Sequence, residues 1–200
     1  MKKLVIAFLI TVAFFAGCSV YKTIMNVSRL SYKLETVGNF KVSGISFDKK
    51  AKISDIGTMD YVKLTSAFAS GKLPVSFTVN IAAKNPNDGS GGFPPQNITI
   101  EEFPWELELN GIKTISGRIG APINVPGVGE STIIPLTMEL DLIEFFGKGG
   151  INELLDIALK LGGKNQDITN VKIIANPVLG TPIGKLSYPG PLTIVNQNFN

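Results

Sequence analysis

Three stretches of the 200-residue chain alternate apolar and polar side chains strictly enough to constrain their backbone conformation. They are residues 75–83, 105–109 and 134–142. Side chains of a β-strand point alternately to its two faces, so each stretch is predicted to bury one face and expose the other. Further candidate strands lie at 27–34, 40–47, 61–65, 171–175 and 192–195. Many short strands with Gly- and Pro-rich turns between them predict an all-β chain that folds as an antiparallel β-sandwich.

The clearest turn is Asn110-Gly111, which directly follows the alternating stretch 105–109. A two-residue type I′ turn needs positive φ at both positions, and Asn and Gly adopt positive φ at the least cost. The pattern therefore predicts a β-hairpin whose second strand covers residues 112–117.

One segment changes period and predicts a single amphipathic helix. Its apolar positions recur at spacings of three and four, and they are Leu154, Leu155, Ala158 and Leu161. Asn152 is predicted to cap the start of the helix, and Gly162-Gly163 to end it. A short turn is expected before it, at residues 141–146. The apolar face is expected to close one end of the core, or alternatively to line an apolar cleft between the helix and the sandwich.

The first eighteen residues have the pattern of an export signal. Lys2 and Lys3 precede an apolar run at residues 4–15, and the small residues Ala16 and Gly17 stand before the chain's only cysteine. About a dozen apolar residues are too few to span a bilayer and are typical of the hydrophobic part of a signal peptide.

The tetrapeptide at residues 15–18, Phe-Ala-Gly-Cys, resembles the bacterial lipobox. In that motif the cysteine carries diacylglycerol and an N-acyl chain and becomes the first residue of the mature protein. The resemblance implies a signal peptide at 1–17, lipid attachment at Cys18 with a tether over 18–26, and a domain over 27–200. Two alternatives are an uncleaved N-terminal anchor and a plain export signal with an incidental cysteine. Because Ser19 rather than Asp follows Cys18, and no acidic cluster comes next, the resemblance implies an outer-membrane lipoprotein that faces the periplasm.

Asn85-Pro86-Asn87 follows the first alternating stretch. Pro86 has no N–H and is expected to end the strand ladder, and the residue before a proline is held in an extended conformation. Asn87 is expected to turn back on its own backbone or to take positive φ. The motif is interpreted as a strand terminator, and the alternative is a polar contact to a ligand.

Several pieces of the chain occur in an order and spacing that resemble a known family. They are 75–83 running into Asn85-Pro86-Asn87, then 105–111, 115–117, 123–127 and 131–142. This pattern resembles the second late-embryogenesis-abundant (LEA) group, the water-stress and hypersensitive-response domain. The resemblance implies an immunoglobulin- or fibronectin-like sandwich with one helix, no enzyme activity and a link to desiccation stress. A Gly-rich insert at residues 88–92 departs from the family pattern.

The composition argues against most catalytic chemistry. The chain has no histidine and one cysteine, and an acylated Cys18 would leave no thiol. Neighbouring carboxylates occur as Glu101-Glu102, Glu106 with Glu108, and Glu139 with Asp141, and all are expected on solvated faces. Removing Lys2 and Lys3 lowers the formal net charge from +3 to +1, which is no electrostatic footprint for nucleic acid. We therefore expect no catalytic residue, no metal site and no cofactor besides the covalent lipid.

Two functional hypotheses follow. The first is a non-enzymatic protein anchored to the cell envelope, whose sandwich binds or protects other molecules under desiccation or envelope stress. The second is a structural or accessory subunit of an envelope protein complex. In both, the partners are a membrane, reached through the lipid, and a further envelope protein, with no nucleic acid.

Overall fold

The computed structural model of the chain describes residues 25, 27–90, 95–147, 149–165, 167–181 and 183–195. Within these ranges the chain is mostly β, with 12 strands in three antiparallel sheets and few helices. The prediction that strands dominate is confirmed. The predicted signal peptide, Cys18, nearly all of the tether and the middle of the Gly-rich insert lie outside the described residues.

The elements alternate between short strands and a few helices. The strands are β1 (Ser31–Val42), β2 (Ile45–Ser46), β3 (Pro74–Lys84), β4 (Ile98–Glu102), β5 (Trp105–Leu109), β6 (Ile112–Gly117), β7 (Ile123–Val125), β8 (Thr132–Asp141), β9 (Val171–Ala175), β10 (Val178–Thr181), β11 (Gly184–Ser187) and β12 (Leu192–Ile194). The helices are α1 (Thr58–Ala69), α2 (Leu142–Phe146) and α3 (Ile151–Gly162), with a 3-10 turn at Ile53–Asp55.

Each sheet has four strands in the described part of the chain. Their orders are β2-β1-β3-β8, β11-β10-β4-β7 and β12-β9-β5-β6. The Leu34 N–H donates to the Val195 carbonyl at 2.9 Å, so the end of the third sheet is tied to the first. The predicted alternation is confirmed on the central strand β3, where Val75, Phe77 and Val79 are buried in the hydrophobic core.

The hairpin prediction is confirmed at residue level. Strands β5 and β6 are antiparallel neighbours with Leu109 opposite Ile112. Asn110 has a φ of 50° and Gly111 a φ of 79°, so both turn residues adopt the left-handed conformation that the sequence predicted.

Helix α3 is confirmed, but its predicted N-cap is wrong. The cap is Gly150, and the carboxylate of Glu153 accepts the Gly150 N–H at 3.2 Å, because the reciprocal partner of a cap stands three residues into the helix. Asn152 lies inside the first turn instead, where its side-chain oxygen accepts the Tyr61 hydroxyl at 3.0 Å.

Two further predictions are wrong. Residues 61–65 are not a strand but the middle of α1, so α3 is not the only helix of several turns. Leu64 is the only buried residue of α1, which leaves this helix without the apolar stripe that would have identified it. The strands β4, β7, β10 and β11 were not predicted. The expected short turn at 141–146 is the helix α2.

Candidate functional site

The Asn85-Pro86-Asn87 motif lies at the end of β3, where the ladder stops at Lys84. Both asparagines are buried, with exposed fractions of 7% for Asn85 and 0% for Asn87. They are the only buried polar or charged residues among those that the structure describes. Because a buried amide is costly unless it is hydrogen-bonded, both side chains are expected to have partners inside the fold.

The Asn85 side chain uses all of its hydrogen-bonding capacity inside the fold. Its amide nitrogen donates to the carbonyl oxygens of Gln96 and Val125 at 2.8 and 2.9 Å. Its amide oxygen accepts the Asn87 backbone N–H at 3.1 Å and the Asn87 side-chain amide at 2.7 Å. A primary amide has two donor hydrogens and two acceptor lone pairs, so no capacity is left for a ligand. This geometry favours the interpretation of Asn85 as an internal tie between loops.

Asn87 continues the network toward the loop after β7. Its carbonyl oxygen accepts the Gln96 N–H at 3.0 Å. Gly127 packs so closely against this carbonyl that a Cβ at position 127 would overlap it. The Gly127 N–H donates to the side-chain oxygen of Asn97 at 3.2 Å. The Asn-Pro-Asn and Pro-Gly pieces of the family-like pattern therefore meet in space, and glycine is required where the two backbones touch.

Arg29 joins the same site from the N-terminal end of the described chain. Its guanidinium donates to the Asn87 side-chain oxygen at 3.1 Å and to the Pro86 carbonyl at 3.3 Å. The Tyr188 hydroxyl donates to the Leu30 carbonyl at 3.0 Å on the other side of this segment. The chain is thus fixed to the domain directly after the predicted tether. We call this pole, where Ser31 pairs with Lys84, the entry end.

The loop that follows the motif is ordered at its start by Asp88. The hydroxyl and the backbone N–H of Ser90 hold the pKa of the Asp88 carboxyl below its usual range. The backbone N–H of Ser90 lies 2.8 Å from the Asp88 side-chain oxygen. The side chain is exposed, and its hydrogen bond with Ser90 shapes the start of the loop.

The four predicted apolar positions of α3 all face the interior. Leu154, Leu155, Ala158 and Leu161 are buried in the hydrophobic core. The last residue of the helix, Gly162, lies against the Phe40 ring, and a Cβ there would overlap that ring. A cavity of about 270 Å³ lies beside the helix end, and its lining includes Leu161 and Asn110. Leu161 is therefore buried in the core and also borders an open space.

Glu106 and Glu108 each have a lysine partner of their own, whereas Glu101 and Glu102 share Lys185. The Glu106 carboxylate lies 2.8 Å from the Lys113 ammonium and raises the pKa of that lysine. The Glu108 carboxylate lies 2.8 Å from the Lys172 ammonium. Asp141 caps α2 by accepting the Ile143 N–H at 2.9 Å. Among the described residues no group of three His, Cys, Asp or Glu side chains is placed to hold a metal ion. No helix in the described ranges has both the length and the apolar character that crossing a membrane requires.

The partners of the motif could not be predicted from local pattern. Arg29, Gln96 and Gly127 lie far from the asparagines in the sequence, and each is ordinary in its own context. The one available signal was the order of the Asn-Pro-Asn and Pro-Gly pieces, which resembles a known family. It indicated that both pieces belong to the fold pattern, but not that they are in contact.

The sequence matches no protein-family model and no curated protein. Among solved structures, a target of the Northeast Structural Genomics Consortium is similar with a TM-score of 0.37, 9% identity and coverage of 87% of this chain and 91% of that one. A candidate late embryogenesis abundant (LEA) protein is similar with a TM-score of 0.36 and 15% identity, and the match covers 98% of this chain and 87% of that one. A protein from Archaeoglobus fulgidus is similar with a TM-score of 0.32 and 11% identity, and the match covers 84% of this chain and 94% of that one. Values this low establish neither a shared function nor a shared family.

Proposed function

We propose that this chain is a lipid-anchored, non-enzymatic cell-envelope protein whose β-domain is an immunoglobulin- or fibronectin-like sandwich of the second LEA group. The observation that carries the anchor is the export pattern ending in Ala16-Gly17-Cys18. The lipid on Cys18 would supply membrane affinity of about 0.8 kcal/mol per buried methylene group, enough for firm attachment with two or three chains.

The family assignment is supported by the geometry of the Asn-Pro-Asn motif. Pieces of the family-like pattern that stand about forty residues apart in the sequence share one buried network, since Asn85 donates to the Val125 carbonyl. A simple strand terminator would not need a completely satisfied amide or a glycine at position 127. The network explains structurally why these pieces occur together in the sequence. A protective role would require a stable domain, and the network contributes to that stability.

The anchor and the entry end are consistent with one orientation. Residues 19–26 span at most about 28 Å when fully extended, because each residue adds at most about 3.5 Å. Arg29 and Tyr188 fix the chain at the entry end, which would then face the membrane. Helix α1 leads into β3 at the opposite end, and the eleven residues of β3 span about 36 Å. We infer an outer-membrane lipoprotein facing the periplasm, with α1 directed away from the lipid.

The absence of catalysis is proposed from the chemistry of the chain. It has no histidine, and the carboxylates of Glu106, Glu108 and Asp141 are paired with lysines or with a backbone N–H group. A stress-related protective or binding role for the family comes with the resemblance and rests on it.

The test of the anchor compares membrane fractionation of the wild type, Cys18→Ala and the matched control Ser19→Ala. We expect wild type and control in the membrane fraction, and Cys18→Ala released or retained as an unprocessed precursor. A Cys18→Ala protein that is processed and membrane-bound like the wild type would refute the anchor. Protease added to intact cells should leave the protein whole, and digestion would contradict the periplasmic placement.

A second candidate function is an accessory subunit of an envelope complex. One observation favours it, because Met59 and Val62 on α1 are 73% and 52% exposed and lie one turn apart. Replacing both with Ser should abolish recovery of a stoichiometric partner from native envelope in mild detergent, without lowering the melting temperature. Unchanged recovery would exclude this face as the interface.

A further inference from the structure

A cavity of about 590 Å³ lies between the end of β4, the start of β5 and the end of β6. Its volume is in the range of small-molecule binding pockets, about 300–1,000 Å³. The lining combines apolar and polar groups, and it consists of Glu101, Glu102, Pro104, Trp105, Ser116, Gly117, Arg118 and Ile119. None of these side chains has a part in the Asn-Pro-Asn network. The cavity borders the core of the domain, because Trp105 belongs to the core and Ile119 packs against it.

The apolar wall is formed by a tryptophan and a glycine that face each other across two strands. Trp105 pairs with Gly117 in the β5–β6 ladder. A Cβ on Gly117 would lie 2.5 Å from the indole Cζ2, so only glycine lets the ring lie flat over the neighbouring strand. The indole is 7% exposed, and its N–H has no hydrogen-bond partner among the described residues. Because buried indole N–H groups usually find an acceptor, this donor is an unexplained buried polar group beside the cavity, although the nitrogen itself is not accessible from it.

The charges around the cavity balance. Lys185 lies 3.7 Å from Glu101 and 3.8 Å from Glu102, distances too long for strong hydrogen bonds. Arg118 is exposed and has no ion-pair partner within the described part of the chain. Two carboxylates and two cationic groups leave no net charge, so the site does not select an anion or a cation. Its carboxylates accept hydrogen bonds, while Arg118 donates them.

From these observations we infer that this cavity binds a neutral polyhydroxyl ligand, namely a sugar. A hydroxyl group both donates and accepts, so a row of hydroxyls matches two carboxylates and a guanidinium without requiring a compensating charge. Pro104, Trp105 and Ile119 offer apolar surface to the C–H groups of a pyranose ring. This site does not depend on the lipid anchor, and it adds a ligand class to the proposed non-enzymatic role.

The experiment uses the tryptophan as a reporter, because Trp105 is the only tryptophan of the chain. The full-length protein is purified from membranes in a polyoxyethylene detergent, which has no sugar head group. Its fluorescence is titrated with maltose, trehalose and N-acetylglucosamine, and in parallel with spermidine and inorganic phosphate as charged probes. We expect a saturable change in emission with at least one sugar and none with the charged probes.

Three variants separate binding from folding. Arg118→Ala and Glu102→Gln each remove an exposed polar group of the lining and should weaken sugar binding about 10- to 100-fold, the loss expected for a hydrogen bond to a charged group. Glu139→Gln removes a carboxylate from the exposed face of β8, outside the cavity, and should leave binding unchanged. Equal melting temperatures establish that all three variants are folded. Saturation by spermidine or phosphate instead, no response to any sugar, or equal sugar binding by all variants would each overturn the inference.

Discussion

The buried amide of Asn85 makes the strongest prediction about stability. Asn85→Ala would delete four hydrogen bonds, to the carbonyls of Gln96 and Val125 and from two N–H groups of Asn87. Each buried group left without a partner costs about 1–3 kcal/mol, and partial solvation by water relieves part of the sum. We expect a loss of about 3–5 kcal/mol, a large fraction of the 5–15 kcal/mol that typically stabilises a domain.

The assay is thermal and urea unfolding followed by circular dichroism. For a domain of this size, about 1 kcal/mol shifts the melting temperature by about 2–4 °C, so the predicted loss is about 6–20 °C. Asn80→Ala is the matched control, because its amide makes a single exposed hydrogen bond to Thr36 at 3.0 Å and should change stability by less than about 0.5 kcal/mol. Equal, small effects of the two substitutions would refute the structural role assigned to the motif.

Three further predictions concern the core. Tyr32→Phe should stabilise the protein by about 1–2 kcal/mol, because it removes a buried hydroxyl that has no hydrogen-bond partner among the described residues. Burial raises the pKa of Tyr32 above its ordinary value, so the tyrosine ionises first in the unfolded chain. The free energy of unfolding of the wild type should therefore fall as the pH rises above about 10. In unfolding measured against pH, Tyr32→Phe should lack this part of the decline. Leu107→Asp, at a fully buried position, should prevent folding or lower the free energy of urea unfolding by several kcal/mol. Its control, Glu108→Ala, removes only the ion pair with Lys172 and should cost about 1 kcal/mol. Equal effects would mean that the strand register is wrong. Leu155→Ala should lower stability by about 2–5 kcal/mol, and an unchanged melting temperature would contradict the burial of the α3 face.

The sequence specifies the parts of this fold that depend on short repeats. The β3 alternation, the Asn110-Gly111 turn and the α3 stripe were predictable because a period of two, a positive-φ dipeptide and a spacing of three and four each have one structural solution. Helix α1 was not predictable, because only Leu64 is buried and the helix therefore lacks an apolar stripe. The strands of the second sheet are short, three to five residues, and too brief to establish a period.

The candidate sites depend on contacts between distant segments. The sequence indicated that Asn85 and Asn87 matter, but not that Val125, Gln96 and Arg29 complete their network, because those pairings follow from sheet order. The cavity beside Trp105 likewise depends on the register that places Gly117 opposite the indole. Hydrophobic pattern determines which residues face inward, and only the paired strands determine which polar residues meet.

The central claim is that the chain is held to the envelope by lipid on Cys18, and intact mass spectrometry of the protein extracted from native membranes tests it most directly. Lipid attachment predicts a chain that begins at Cys18, without residues 1–17, and that carries the added mass of a diacylglycerol and an N-acyl group. A mass that corresponds to an unmodified cysteine, whether the chain begins at Met1 or at a processed N-terminus, would contradict it.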